Sequence, residues 1–138
     1  MSEANHFLLE NADTLVTMDT GRRVLKNGWV AATDGLITAV GEGQVPEEIA
    51  GIPQDRYRRH DAAGCVVLPG LINTHHHLFQ TRTRAHAAVA DLELFNWLKT
   101  LYPVWAGLGD DQFYQAAMVG FRELMRSGCT TTTDHHYL

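Results

Sequence analysis

The sequence predicts an α/β fold in which a small β unit precedes a strand, a pair of helices and a second strand. Three observations carry this. Roughly the first 65 residues hold short apolar runs broken by turn dipeptides, the pattern of a small sheet or sandwich. From Cys65 onward, short apolar strand-like pieces bracket a region of helical periodicity. The order strand, helix pair, strand is the beginning of a βαβ series, whose expected outcome is a parallel sheet.

In the β unit, "FLLENADTLVTM" is followed by the polar turn "DTGRR" and then by "VLKNGWVAATDGLITAVG". Asn27-Gly28 and Asp34-Gly35 are expected tight turns, because these residue types tolerate positive φ. The polar, aperiodic stretch "GEGQVPEEIAGIPQDRYRRHDAAG" reads as a surface connection. Within it, "RYRRH" at Arg56–His60 reads as a solvated loop. "CVVL" and "LIN" are then split by Pro69-Gly70, which imposes a turn or kink. The first helix is expected from an N-cap at Asp91, with Leu94, Phe95, Leu98 and Leu101 on one face until Pro103 stops it. The second is expected from Asp110 or Asp111, with Phe113, Ala117, Phe121 and Leu124 as its apolar face and Gly128 at C′. "CTTTTDHH" is Thr-rich and reads as the closing strand.

Bulk properties narrow the class. At 138 residues the chain suffices for one ordinary domain with a core. A complete enzyme barrel needs roughly 250. The net charge of −5 gives no basic surplus for a nucleic-acid backbone. No apolar window approaches the roughly 18 residues of a membrane span, and no secretory leader is legible at the start. Cys65 and Cys129, without a CxxC spacing, read as buried free thiols of a reducing compartment, so a cytoplasmic location is expected.

The chain carries eight histidines, three of them consecutive in "LPGLINTHHHLFQTRTR". On a strand, alternate side chains share a face, so His75 and His77 point together and His76 points away. Their Cα atoms stand about 6.5–7 Å apart along the strand, and imidazoles on that spacing can converge on one ion at Zn–N distances near 2.0–2.1 Å. An i, i+2 pair on a helix faces two directions and cannot do this. The spacing alone is common; an apolar strand before it and helices after it add weight.

"VVLPGLINTHHH" resembles the signature of the amidohydrolase superfamily, in which an HxH pair ends the first strand of a metal-dependent (β/α)8 barrel. "NADTLVTMD", "NGWVAATDGLITAVGEG" and "VVLPGLI" resemble the strands of the β-sandwich that precedes that barrel. Within the superfamily, "NTHHHLFQTRTRA", "LFNWLKTLYPVWA" and "ELMRSGCTTTTDHHYL" are similar to the group of 8-oxoguanine deaminase and the hydroxylated s-triazine aminohydrolases. The resemblance implies residues 1–65 as sandwich and 66–138 as the first β/α units of a TIM-like barrel. The chain would then be an N-terminal fragment, truncated after about the second barrel strand.

The same resemblance implies His75 and His77 as ligands of one divalent metal, zinc first and iron second. Gln80 is placed where a carboxamide can read a base edge or stand solvated. Asp134, His135 and His136 end the second strand on the face where barrel active sites gather. His135 and His136 are candidates for substrate contact, and Asp134 for support of the ligands. Trp97, Tyr102 and Trp105 read as core packing rather than base stacking. The implied chemistry is deamination of an aminated heterocycle, an 8-oxoguanine-type purine first, by metal-activated water. A hydroxylated s-triazine or guanine is the alternative substrate. The family's third histidine, proton-shuttling acid, substrate-polarising histidine and late-strand aspartate are not found, so activity of 1–138 alone is not expected. A non-catalytic metal-binding or interaction module is the alternative of another class. Expected partners are a small heterocycle and other copies of the chain, with neither nucleic acid nor membrane.

Overall fold

The computed structural model describes residues 5–53 and 56–136. The last residues of "ELMRSGCTTTTDHHYL", Tyr137 and Leu138, lie outside the described residues. The chain divides into two compact units, Met1–Pro69 and Gly70–Leu138.

The first unit is a five-stranded sheet. Strand β1 (His6–Val16) is central, antiparallel to β2 (Val24–Thr33), which is antiparallel to β3 (Leu36–Glu42). A short helix α1 (Glu47–Ala50) leads to β4 (Tyr57–Asp61), and β4 and β5 (Val66–Val67) both run parallel to β1. Because Val66 and Val67 pair with Thr14 and Leu15, they belong to this unit. By contacts, the division falls after Pro69. Leu8, Trp29 and Ala31 form one core cluster, and Ala12, Leu15 and Ala62 another.

Asp34 and Gly35, with φ of 50° and 82°, form the two-residue turn that joins β2 to β3. Asn27-Gly28 does not turn the chain. It lies inside β2, with Asn27 at φ 46° and Gly28 paired to both Ala12 and Glu42. The register of β1 against β2 shifts between Leu9 and Ala12, where Asn11 has φ 61°. Positive φ is here used for an irregular ladder rather than a hairpin. "RYRRH" is likewise mostly strand, because parallel pairing with β1 brings Arg59 to Glu10, whose carboxylate accepts from Arg59 Nε at 3.1 Å and from Nη2 at 2.9 and 3.0 Å. The thiols are free, but Cys65 is exposed and Cys129 half-buried, so neither is the buried residue expected.

The second unit opens with β6 (Leu71–Asn73) and closes with β7 (Cys129–Thr132), which pair in parallel. Between them come 3₁₀ turns at Leu78–Thr83 and Ala87–Val89, then α2 (Leu94–Ala106) and α3 (Asp110–Arg126). The expected strand, helix pair, strand order and parallel pairing are present.

Helix α2 starts after Glu93, not Asp91, and runs through Pro103 to Ala106. Proline removes one hydrogen bond to the carbonyl of residue i−4. Leu101 and Trp105, both at 0 % exposure, hold the last turn on either side of it. The packed stripe is Trp97, Leu98, Leu101 and Trp105, while Leu94 and Phe95 are exposed. Helix α3 buries Ala116 and Gly120, and Phe121 of the expected apolar face is exposed. Gly128, at φ 81°, follows the Ser127 C-cap as expected. Among the described residues, no helix is long and apolar enough to cross a membrane.

Candidate metal centre

The three histidines follow β6 directly, and Asn73 governs how they leave it. Asn73 Oδ1 accepts the His75 N–H at 3.1 Å, a local turn that ends the ladder one residue before the cluster. Asn73 also accepts the Thr133 N–H through its backbone carbonyl at 3.0 Å, which keeps the ends of β6 and β7 side by side. The first histidine is thus delivered at the strand end.

Beyond the cluster the chain is held by burial. Leu78 and Phe79 are 2 % and 1 % exposed, and Phe79 packs edge-to-face on Trp105 with ring centroids 5.2 Å apart. Trp105 Nε1 donates to Thr83 Oγ1 at 3.0 Å, closing the 3₁₀ turn onto α2. Thr81 Oγ1 donates to the Ala116 carbonyl at 2.7 Å, closing it onto α3. At Gly120 of α3 an added Cβ would lie 2.7 Å from Leu78 Cδ2 and 3.6 Å from His76 Cε1, so a larger residue there would require the buried Leu78 side chain to shift.

Within that frame the Nε2 atoms of His75 and His77 stand 3.1 Å apart, with the ring planes at 79°. His76 points to α3 instead, and its Nδ1 is buried with no hydrogen-bond partner among the described residues. His77 Nδ1 donates to the His135 carbonyl at 2.8 Å. A carbonyl only accepts, so in the neutral ring the proton sits on Nδ1 and the lone pair on Nε2.

A separation of 3.1 Å is shorter than two Zn–N bonds of about 2.0–2.1 Å end to end, so one ion can bond both Nε2 atoms. The residues present fit two positions of a divalent metal site. Among the described residues, no group of three or more His, Cys, Asp or Glu side chains is arranged to hold an ion.

The end of β7 braces this pair. Asp134 Oδ1 accepts the Leu78 N–H at 2.9 Å, and the His135 N–H donates to the His76 carbonyl at 2.8 Å. The His135 ring stacks on His75 at 4.9 Å and 10°. His136 packs its ring against Phe79 and Phe113, at 5.7 and 5.9 Å, on the aromatic core.

An open depression of about 630 Å³ lies beside the pair, lined among others by His75, His77, Gln80, Arg84, His86 and Trp97. Trp97 both packs on Trp105, at 5.4 Å, and lines the depression. His135, His136 and Asp134 are not in that lining. Arg84 and His86 were not singled out from sequence; their only signal is proximity to the histidine run. Arg84 is committed to Glu123 through two contacts of 2.7 Å, and this pairing holds the Glu123 carboxyl below the usual carboxylate range.

Residues 66–138 match the model of the amidohydrolase family. The chain is 48% identical over 112 residues to 8-oxoguanine deaminase from Pseudomonas aeruginosa, covering 80% of this chain and 24% of that protein. It is 36% identical over 128 residues to hydroxydechloroatrazine ethylaminohydrolase from Pseudomonas sp. strain ADP, covering 89% and 26%. In structure it is similar to a mutant atrazine chlorohydrolase from Arthrobacter aurescens TC1 complexed with zinc and atraton. That likeness has a TM-score of 0.84 and 26% identity, over 96% of this chain and 29% of that one. The chain thus spans about a quarter of the length of these relatives.

Proposed function

The chain belongs to the amidohydrolase family, and from that premise we propose that it supplies the first two metal ligands, His75 and His77, of a hydrolase that deaminates an aminated heterocycle. The observation that carries the reading is the 3.1 Å approach of two Nε2 atoms, one of them held as a lone pair by a carbonyl on its far side. We read β6, α2, α3 and β7 as the first units of a (β/α)8 barrel, and the five-stranded sheet as part of a preceding sandwich. No third ligand or proton-transfer group is assigned among the described residues.

Zinc is the favoured ion, supported by the all-imidazole donor pair and by the zinc complex of the chlorohydrolase relative. When bound, a divalent ion supplies Lewis-acid activation of water. The chain's own residues do the rest of what is assigned to them here. His77 presents its Nε2 lone pair, and Nε2 of His75 stands 3.1 Å from it. Gln80 offers a donor and an acceptor to a ring edge from the wall of the depression. Trp97 gives that wall an aromatic surface, and a volume of about 630 Å³ suits a bicyclic ring. The net reaction exchanges a ring C–NH2 for C=O with release of ammonia. An 8-oxoguanine-type purine is the first substrate, supported by the 48% identity with the 8-oxoguanine deaminase, and a hydroxylated triazine is the second.

The test pairs two preparations. A protein of the relatives' length that carries this chain, loaded with zinc, should release ammonia from 8-oxoguanine and lose that activity when His75 and His77 are both replaced by alanine. Residues 1–138 alone should release none. Ammonia release by residues 1–138 alone, or full activity of the double variant, contradicts the reading.

A further inference from the structure

We propose that His135 is a positioning residue for the His75–His77 pair, with its carbonyl selecting the ligating atom of His77 and its ring fixing the plane of His75. The proposal rests on the metal-site reading above and assigns the role to a residue that touches both imidazoles.

Three contacts support it. The His135 carbonyl accepts from His77 Nδ1 at 2.8 Å, which leaves Nε2 of the neutral ring as the only lone pair. The His135 N–H donates to the His76 carbonyl at 2.8 Å, so the accepting carbonyl is tied to the same short segment that carries the ligands. The His135 ring lies on His75 with centroids 4.9 Å apart and planes 10° from parallel, which restricts rotation of His75 about its terminal torsion. The His77 ring meets the His135 ring edge-on, at 5.4 Å and 69°.

The same geometry argues against His135 as a third ligand. A metal–imidazole bond lies close to the plane of its ring. Two stacked and nearly parallel planes share no point near the Nε2 of His75, so one ion cannot lie in both. Nor does any group of three such donors converge among the described residues. The residue therefore orients ligands, as partners outside a metal's own coordination shell do elsewhere.

Two variants separate the ring face from the ring nitrogens. His135→Phe keeps an aromatic face and the backbone carbonyl but removes both nitrogens; His135→Ala removes the face. Zinc affinity of the full chain is read by chelator competition, and ligand geometry by the visible spectrum of the cobalt(II)-loaded chain. We expect His135→Ala to weaken zinc binding about 10–100-fold and to alter the cobalt spectrum, with His135→Phe within about threefold of the unsubstituted chain. A phenylalanine variant as weak as the alanine one would assign the effect to a nitrogen and overturn the proposal. So would an alanine variant that binds like the unsubstituted chain.

One further measurement needs neither a folded alanine variant nor bound metal. Long-range ¹H–¹⁵N spectra of the metal-free chain, above the imidazole titration range, should show His77 protonated on Nδ1. Protonation on Nε2 overturns the proposal whatever the chain does with zinc. Conversely, zinc retained when His75 and His77 are both alanine overturns the metal-site reading and leaves the tautomer result standing on its own.

Discussion

Asp134 Oδ1 accepts the backbone N–H of Leu78 at 2.9 Å, tying the end of β7 to the residue directly after His77. Leu78 is 2 % exposed, so an N–H that loses this partner is left without water as a substitute. Asp134→Ala should therefore cost about 1–3 kcal/mol in urea unfolding, and should weaken zinc binding about 10-fold or more through movement of His77. Asp134→Asn retains an acceptor oxygen and should recover most of both. An alanine variant with unchanged zinc affinity contradicts the link.

Gly120 sets how closely the turn after His77 approaches α3. Gly120→Ala gains about 1 kcal/mol of helix propensity but places a methyl group 2.7 Å from Leu78 Cδ2, an overpacking that costs about 1–3 kcal/mol. The net expectation is a lower Tm in thermal melts. An unchanged or raised Tm would show that Leu78 yields without cost.

Thr83 and Trp105 form a buried hydrogen bond of 3.0 Å between the 3₁₀ turn and α2. Thr83→Val leaves the indole N–H unsatisfied in a residue of 0 % exposure and should cost about 1–3 kcal/mol. Adding Trp105→Phe removes that orphaned donor, so the double variant should lose less than the sum of the singles. Simple additivity in urea unfolding would deny the bond a share in stability.

These contacts mark where the sequence was and was not legible. Period-two geometry pairs His75 with His77, and their Nε2 atoms stand 3.1 Å apart. Asp34-Gly35 followed from turn chemistry, and Gly128 from helix-end chemistry. Asn27-Gly28 misled because positive φ serves an irregular ladder as well as a hairpin. Pro103 misled because Leu101 and Trp105 outweigh one lost hydrogen bond. β4 was hidden in a polar segment because an edge strand beside β1 can be charged, as the Arg59–Glu10 pair shows. Gly120 and the His135 carbonyl leave no sequence signal: one acts through a missing side chain, the other through a backbone atom.

The Arg84–Glu123 pair supplies a pH dependence. Hydrogen bonds from Arg84 depress the Glu123 carboxyl in the folded chain. A depressed carboxyl adds stability that is fully present above its unfolded pKa, near 4.3, and is lost as pH falls through the lower folded value. Both side chains are about half exposed, so the effect is small. Glu123→Gln should flatten the loss of Tm below about pH 4.5 relative to the unsubstituted chain. An identical acid limb in both would contradict the pairing.

The most direct test of the account is a zinc titration of the full chain against a chromophoric chelator, compared with its histidine variants. The geometry predicts one zinc per chain, bound weakly for want of further ligands, with binding lost in His75→Ala and in His77→Ala and preserved in His76→Ala. Zinc uptake unaffected by His75→Ala or His77→Ala, or abolished by His76→Ala, would contradict the assignment of the pair.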